Sequence, residues 1–189
     1  MKAIPTEISG VMIFEPTVFK DERGYFFESF SQREFDNALG RHIEFVQDNQ
    51  SCSKRGVVRG LHFQKGAKSQ AKLVRCVEGR VMDIALDLRP GSTTFGRHIS
   101  VELTSENHRM LFIPRGFAHG FSVLSERAVF QYKCDNYYCK EADGGISIKD
   151  PRFQIEWGID LDEAILSEKD LRLPLLKDID LPWTIEEIS

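Results

Sequence analysis

No stretch of this 189-residue chain approaches the roughly 20 consecutive apolar residues that cross a bilayer. The opening residues MKAIPTEISGVMIFEP also lack the continuous apolar core of a secretory signal, so no membrane partner and a cytoplasmic location are expected. Cysteine is scarce. Cys52, Cys76, Cys134 and Cys139 show no C-x-x-C spacing, which argues against a zinc site or a redox pair and fits reduced thiols. An excess of basic charge is missing too: 25 Lys and Arg against 29 Asp and Glu give a formal charge of -4, so no nucleic-acid partner is expected. A small molecule is the expected partner. Repeats and low-complexity tracts are absent, and 41 % hydrophobic with 29 % charged residues describes an ordinary globular composition. At this length one domain over residues 1–189 is expected, with a tail from about residue 157 that wraps around it.

What the chain does have is a succession of short β-branched and aromatic runs separated by Gly, Pro or charged turns. Strands are expected over 11–19, 25–30, 43–51, 57–64, 72–79, 80–88, 96–104, 109–114, 120–125 and 128–134. So many strands in so short a span predict a mainly β protein, a jelly-roll barrel with short peripheral helices. One helix is expected in QREFDNALG, after Ser31 and ending at Gly40, with Phe35, Ala38 and Leu39 on one side. From Trp157 onward acidic residues alternate with Leu and Pro, which suits short helices and extended segments.

Within VVRGLHFQ, residues 57–64, a regular strand would send Val58, Gly60, His62 and Gln64 to one face and Val57, Arg59, Leu61 and Phe63 to the other. Gly60 makes a bulge plausible, and a bulge would bring Arg59 and His62 toward one cavity. A lone strand histidine is more often structural, so the weight falls on other polar residues. In FIPRGFAHGF, residues 112–121, Pro114, Gly116 and His119 form a P-x-G-x-x-H pattern that resembles the second motif of the cupin superfamily. RGLHFQ through Gly79 resembles a degenerate first motif. Where a metal-binding cupin offers its further histidine and its glutamate, this chain has Gln64 and Lys72. An ammonium repels the ion it should ligate, so a cupin barrel with no metal is expected. Lysine near a carbonyl oxygen can instead stabilise an enolate while a neighbouring histidine removes the proton alpha to that carbonyl.

FKDERGYFFESF, FVQDNQSCSKRGVVRGLHFQ, KLVRCVEGRVMDIALDLRPGSTTFG, FIPRGFAHGFSVLSE and YKCDNYYCKEADGGI together resemble the dTDP-4-dehydrorhamnose 3,5-epimerase family over roughly residues 1 to 180. The resemblance implies a cofactor-independent cupin enzyme that inverts C3 and C5 of a dTDP-4-keto-6-deoxyhexose. It implies His62 as base oriented by Asp170, Tyr132 as acid, and Lys72 near the C4 carbonyl oxygen. Arg59 and His119 match residues lining sugar and diphosphate, and Arg23 and Lys169 match further diphosphate and nucleotide contacts. Phe26, Glu28, Gln47, Asn49, Tyr138 and Asp143 are counted with the substrate contacts or with a partner subunit's site. The family's dimerisation implies a homodimer.

Each role has a plainer rival. Asp170 follows Ser167 in an S-x-x-D capping pattern, Tyr132 lies in an aromatic strand where it could simply pack, and Arg23 could be a solvated turn residue. Arg59 is harder to dismiss, because a buried guanidinium needs an anion. Asp143 departs from the family, which often has glutamate before the two glycines. The alternative reading is a nucleotide-sugar cupin of different outcome: a 3,4-ketoisomerase, a single-site epimerase or a sensor. Tyr132 favours two inversions, since relatives with other outcomes tend to lack that acid.

Overall fold

Strands with one apolar face bury it by stacking sheet on sheet. The computed structural model, which describes residues 1–188, does this with strands β1 (Lys2–Pro5), β2 (Met12–Glu15), β3 (Phe19–Asp21), β4 (Gly24–Phe26), β5 (Gln47–Lys54), β6 (Val58–Gln64) and β7 (Lys72–Glu78), followed by β8 (Arg80–Asp87), β9 (His98–Thr104), β10 (Met110–Ile113), β11 (Phe117–Val123), β12 (Arg127–Cys134) and β13 (Asp143–Gly145). The helices are α1 (Gln32–Leu39), α2 (Glu168–Leu171) and α3 (Ile185–Ile188). One sheet has the order β1-β2-β10-β7-β12-β5 and the other β13-β6-β11-β8-β9, while β3 and β4 form a separate hairpin. All strand pairings are antiparallel, and the result is the expected jelly roll.

Between the sheets pack Val74, Val81, Ala85, Leu103, Leu111, Phe121 and Phe130 with their neighbours, all buried. The outer face of the five-stranded sheet is covered by the tail. Trp157, Leu176 and Trp183 pack there with Leu61, Phe63, Ile84 and Leu86, and Trp183 Nε1 donates to the Gln64 carbonyl at 2.8 Å. At the opposite sheet α1 buries Phe35 among Phe14, Phe30, Phe45 and Phe112. Its ends follow the sequence signals: Ser31 accepts from the Glu34 N–H, and Gly40 takes the left-handed conformation at φ 68°.

Several boundaries differ from expectation. The run 11–19 is broken after Glu15 because Pro16 has no N–H to give a ladder. The strand expected over 25–30 stops at Phe26, the one over 43–51 begins only at Gln47, and β11 starts three residues early, at Phe117. Two strands were not expected, β1 and the Asp-Gly-Gly segment β13. β13 pairs with β6 through backbone alone, and a Cβ on Gly145 would lie 2.4 Å from the Leu61 carbonyl oxygen.

The bulge in β6 decides where the polar side chains go. Opposite β11, His62 pairs with His119 and Arg59 with Phe121, so three steps along β6 match two along β11 and the register shifts between them. That odd step turns both Arg59 and His62 inward. Gly60 makes it possible: its φ is 134°, and a Cβ there would lie 2.6 Å from Gly120 Cα. Gly60→Ala is therefore expected to destabilise the fold by at least about 2 kcal/mol through strain and overlap, read from a denaturant melt.

Candidate active site

The inward faces of the two sheets close around a cavity of about 310 Å³. β6 and β11 bring Arg59, His62 and His119 to one wall, and β5, β7 and β12 bring Asn49, Lys72 and Tyr132 to the other. Phe121 and Phe130, stacked at 4.2 Å between centroids, line it between the polar groups.

His62 Nε2 lies 2.5 Å from Asp170 Oδ1, and the carboxylate side chain is 4 % exposed against 31 % for the imidazole. Burial alone would raise the Asp170 carboxyl. The hydrogen bond and charge of His62, with Ser167 and Lys169 adding to them, outweigh burial and hold it below its ordinary range. An ionised Asp170 takes the Nε2 hydrogen, which leaves Nδ1 as the free base of the ring. The capping pattern and the dyad coexist: the Asp170 N–H donates to Ser167 Oγ at 3.1 Å, and the Asp170 side chain goes to His62 instead of closing the box.

Lys72 is opposite Cys134 on β12, with Nζ 6.0 Å from the Tyr132 ring centroid. Burial pushes its ammonium below the usual lysine value, while Cys134, Asp83 and Asp143 pull it back up. Burial likewise pushes the Tyr132 phenol up, against the opposing charge of Arg59, so it keeps its proton well above neutral pH. Burial also lowers His119, whose Nε2 sits 2.9 Å from Asp83 Oδ2. Arg59 is exposed and not buried as expected; its Nε donates to Ser53 Oγ at 3.1 Å, with no carboxylate partner among the described residues, so its guanidinium is open to an anion.

Beside this cavity stands a second group. Gln47 Nε2 donates to Asn49 Oδ1 at 3.0 Å, and the Tyr138 N–H donates to Gln47 Oε1 at 3.0 Å. Asp143 accepts from Tyr138 Oη at 3.3 Å and from the Lys169 ammonium. The expected substrate contacts Gln47, Asn49, Tyr138, Asp143 and Lys169 are thus linked to one another and, through α2, to Asp170.

Arg23, Phe26 and Glu28 are not brought to the cavity of their own chain. Arg23 is 89 % exposed and ion-paired with Asp21 in the β3–β4 hairpin, and Phe26 is 70 % exposed on the same hairpin. Gln64, at the position of a cupin metal histidine, is buried and accepts the Cys139 N–H at 2.8 Å, holding the loop before β13. With Gln64 bonded there and an ammonium at Lys72, the residues at the cupin metal positions do not fit a metal. Sequence reading missed Asp83. The signal was present, since in RVMDIALD position 83 shares the inward face with Val81 and Ala85.

The model of the family described as dTDP-4-dehydrorhamnose 3,5-epimerase matches residues 5–178. A dTDP-4-dehydrorhamnose 3,5-epimerase of Shigella flexneri is 52 % identical over 180 residues, covering 95 % of this chain and 98 % of the relative. The crystal structure of a dTDP-6-deoxy-D-glucose-3,5-epimerase from Legionella pneumophila, in complex with dTDP-4-keto-L-rhamnose, is 44 % identical with a TM-score of 0.91, over 100 % of this chain and 97 % of the other. More distant, at 29 % identity and a TM-score of 0.88 over 97 % of this chain and 93 % of the other, is a 3'-monoepimerase from Streptomyces bikiniensis, crystallised as a double mutant with a histidine and a tyrosine replaced. Identity is higher to the 3,5-epimerase of Shigella flexneri than to this monoepimerase. With its jelly roll, the dyad on one wall and the phenol on the other, this chain belongs to the dTDP-4-dehydrorhamnose 3,5-epimerase family.

Proposed function

We propose that the protein epimerises dTDP-4-dehydro-6-deoxy-D-glucose at C3 and C5 to dTDP-4-dehydro-L-rhamnose, within dTDP-L-rhamnose biosynthesis and the surface polysaccharide or lipopolysaccharide synthesis that uses it. One observation carries this reading: His62 projects from the five-stranded sheet and Tyr132 from the six-stranded sheet into the same cavity. A sugar held between them meets a base on one face and an acid on the other. The C4 ketone acidifies the C–H bonds at both C3 and C5, so no redox cofactor is needed.

Nδ1 of His62 takes the proton from the carbon, and the bond's electrons move into the C4 carbonyl to form an enolate. Lys72 donates to that oxygen, and Asp170 stabilises the imidazolium. When the enolate collapses, Tyr132 delivers its hydroxyl proton to the opposite face and is reprotonated from solvent, while the His62 imidazolium releases its proton to solvent before the second carbon is inverted. Arg59 and His119 hold the diphosphate and sugar, while Gln47, Asn49, Tyr138, Asp143 and Lys169 hold the nucleotide.

NMR of the product formed from dTDP-4-keto-6-deoxyglucose tests the reading. A 4-keto-rhamnose product supports it; a 3-keto sugar, a single inverted centre or unchanged substrate rejects it. Tyr132→Phe is expected to keep proton abstraction but to slow formation of inverted product about 100-fold, a separation visible when exchange and product are followed together.

We further read residues 1–189 as one cupin unit working as a cytoplasmic homodimer. Phe19, Tyr25 and Phe26, all more than half exposed on the β3–β4 hairpin, form an apolar surface that a second copy would cover, and Arg23 and Glu28 would then reach the partner's nucleotide. No helix among the described residues is long and apolar enough to cross a membrane. Light scattering on a sizing column is expected to give twice the chain mass of 21.7 kDa at micromolar concentration, and a monomer would count against the dimer.

A further inference from the structure

β8 carries a carboxylate that the scheme above leaves idle. Asp83 is fully buried on the inward face, between Val81 and Ala85. Its Oδ2 lies 2.9 Å from His119 Nε2, while Oδ1 is buried and accepts no hydrogen bond among the described residues. A buried carboxylate oxygen without a donor weakens the fold, and such groups concentrate where a site needs the charge. A purely structural His–Asp pair would lie away from the chemistry. His119 instead lines the cavity, packed against Phe130 at 6.1 Å between centroids.

We propose that Asp83 is a positioning residue for the epimerisation: Oδ2 fixes His119 with Nε2 protonated and Nδ1 free for the sugar. This rests on the function proposed above. It extends that function by assigning the orientation of His119 to a carboxylate outside direct substrate contact. An ionised Asp83 can accept only, so the shared hydrogen must sit on His119 Nε2.

The test has two readouts. In Asp83→Asn, which keeps the side-chain shape, kcat is expected to fall about 10- to 100-fold, the size of effect seen for partners that orient a site's histidines, with KM changed much less. Nitrogen-15 NMR of ligand-free wild-type protein is expected to show His119 as the single Nε2–H tautomer, and Asp83→Asn to lose that preference. An unchanged kcat in a folded Asp83→Asn, or a KM effect alone, overturns the proposal. Should Asp83→Asn fail to fold, the wild-type spectrum still decides, and an Nδ1–H tautomer at His119 overturns it. Wild-type protein inactive on the keto sugar would sink the proposed function while leaving the tautomer readout standing.

Discussion

His62→Ala is expected to abolish incorporation of solvent deuterium at both C3 and C5 of the keto sugar. General-base removal alone lowers rates by about 10²- to 10⁴-fold. The variant leaves Asp170 nearly fully buried without its partner, so a stability loss of about 1–3 kcal/mol is expected alongside an intact fold. Circular dichroism and a melt separate the two effects. Exchange at either carbon at more than a trace of the wild-type rate would remove His62 from its role.

Lys72→Met should move activity and stability in opposite directions. Losing the donor to the enolate oxygen is expected to lower kcat about 10²- to 10³-fold. The same change removes an ammonium that burial disfavours and replaces it with an apolar side chain of similar length, so the melting temperature should rise. The sign follows from linkage. A lysine whose folded pKa is lowered binds fewer protons when folded than when unfolded, between that lowered value and the ordinary value of 10.5. Across that window its contribution to stability increases with pH, whereas activity needing the ammonium declines as pH rises through the lowered value. The gain from Lys72→Met should therefore be largest at neutral pH and shrink toward alkaline pH. Equal kcat in the two proteins would remove Lys72 from the ketone.

Much of this was legible in the chain because the relevant signals are local. Short β-branched and aromatic runs marked β7, β8 and β12, Ser31 and Gly40 marked α1, and the P-x-G-x-x-H pattern placed His119. The bulge at Gly60 was readable as a possibility, yet its consequence depended on Gly120 across the ladder, a residue 60 positions away. β13 was hidden for a related reason, since Asp143–Gly145 has no strand propensity and pairs because its glycines let two backbones approach. Asp170 could be read as a cap or as a catalytic partner, and the fold makes it both through a contact spanning 108 residues. Asp83 passed as one charge in an apolar strand. What the sequence could not supply was the placement of Arg23, Phe26 and Glu28, which lie outside the cavity that His62 and Tyr132 line.

Turnover by wild-type protein in deuterium oxide, followed by proton NMR of the recovered nucleotide sugar, tests the opposed imidazole and phenol most directly. The arrangement predicts one solvent deuteron at C3 and one at C5, each in the inverted configuration. Product that retains its original hydrogen at either carbon, or exchange at both carbons without inversion, would contradict it.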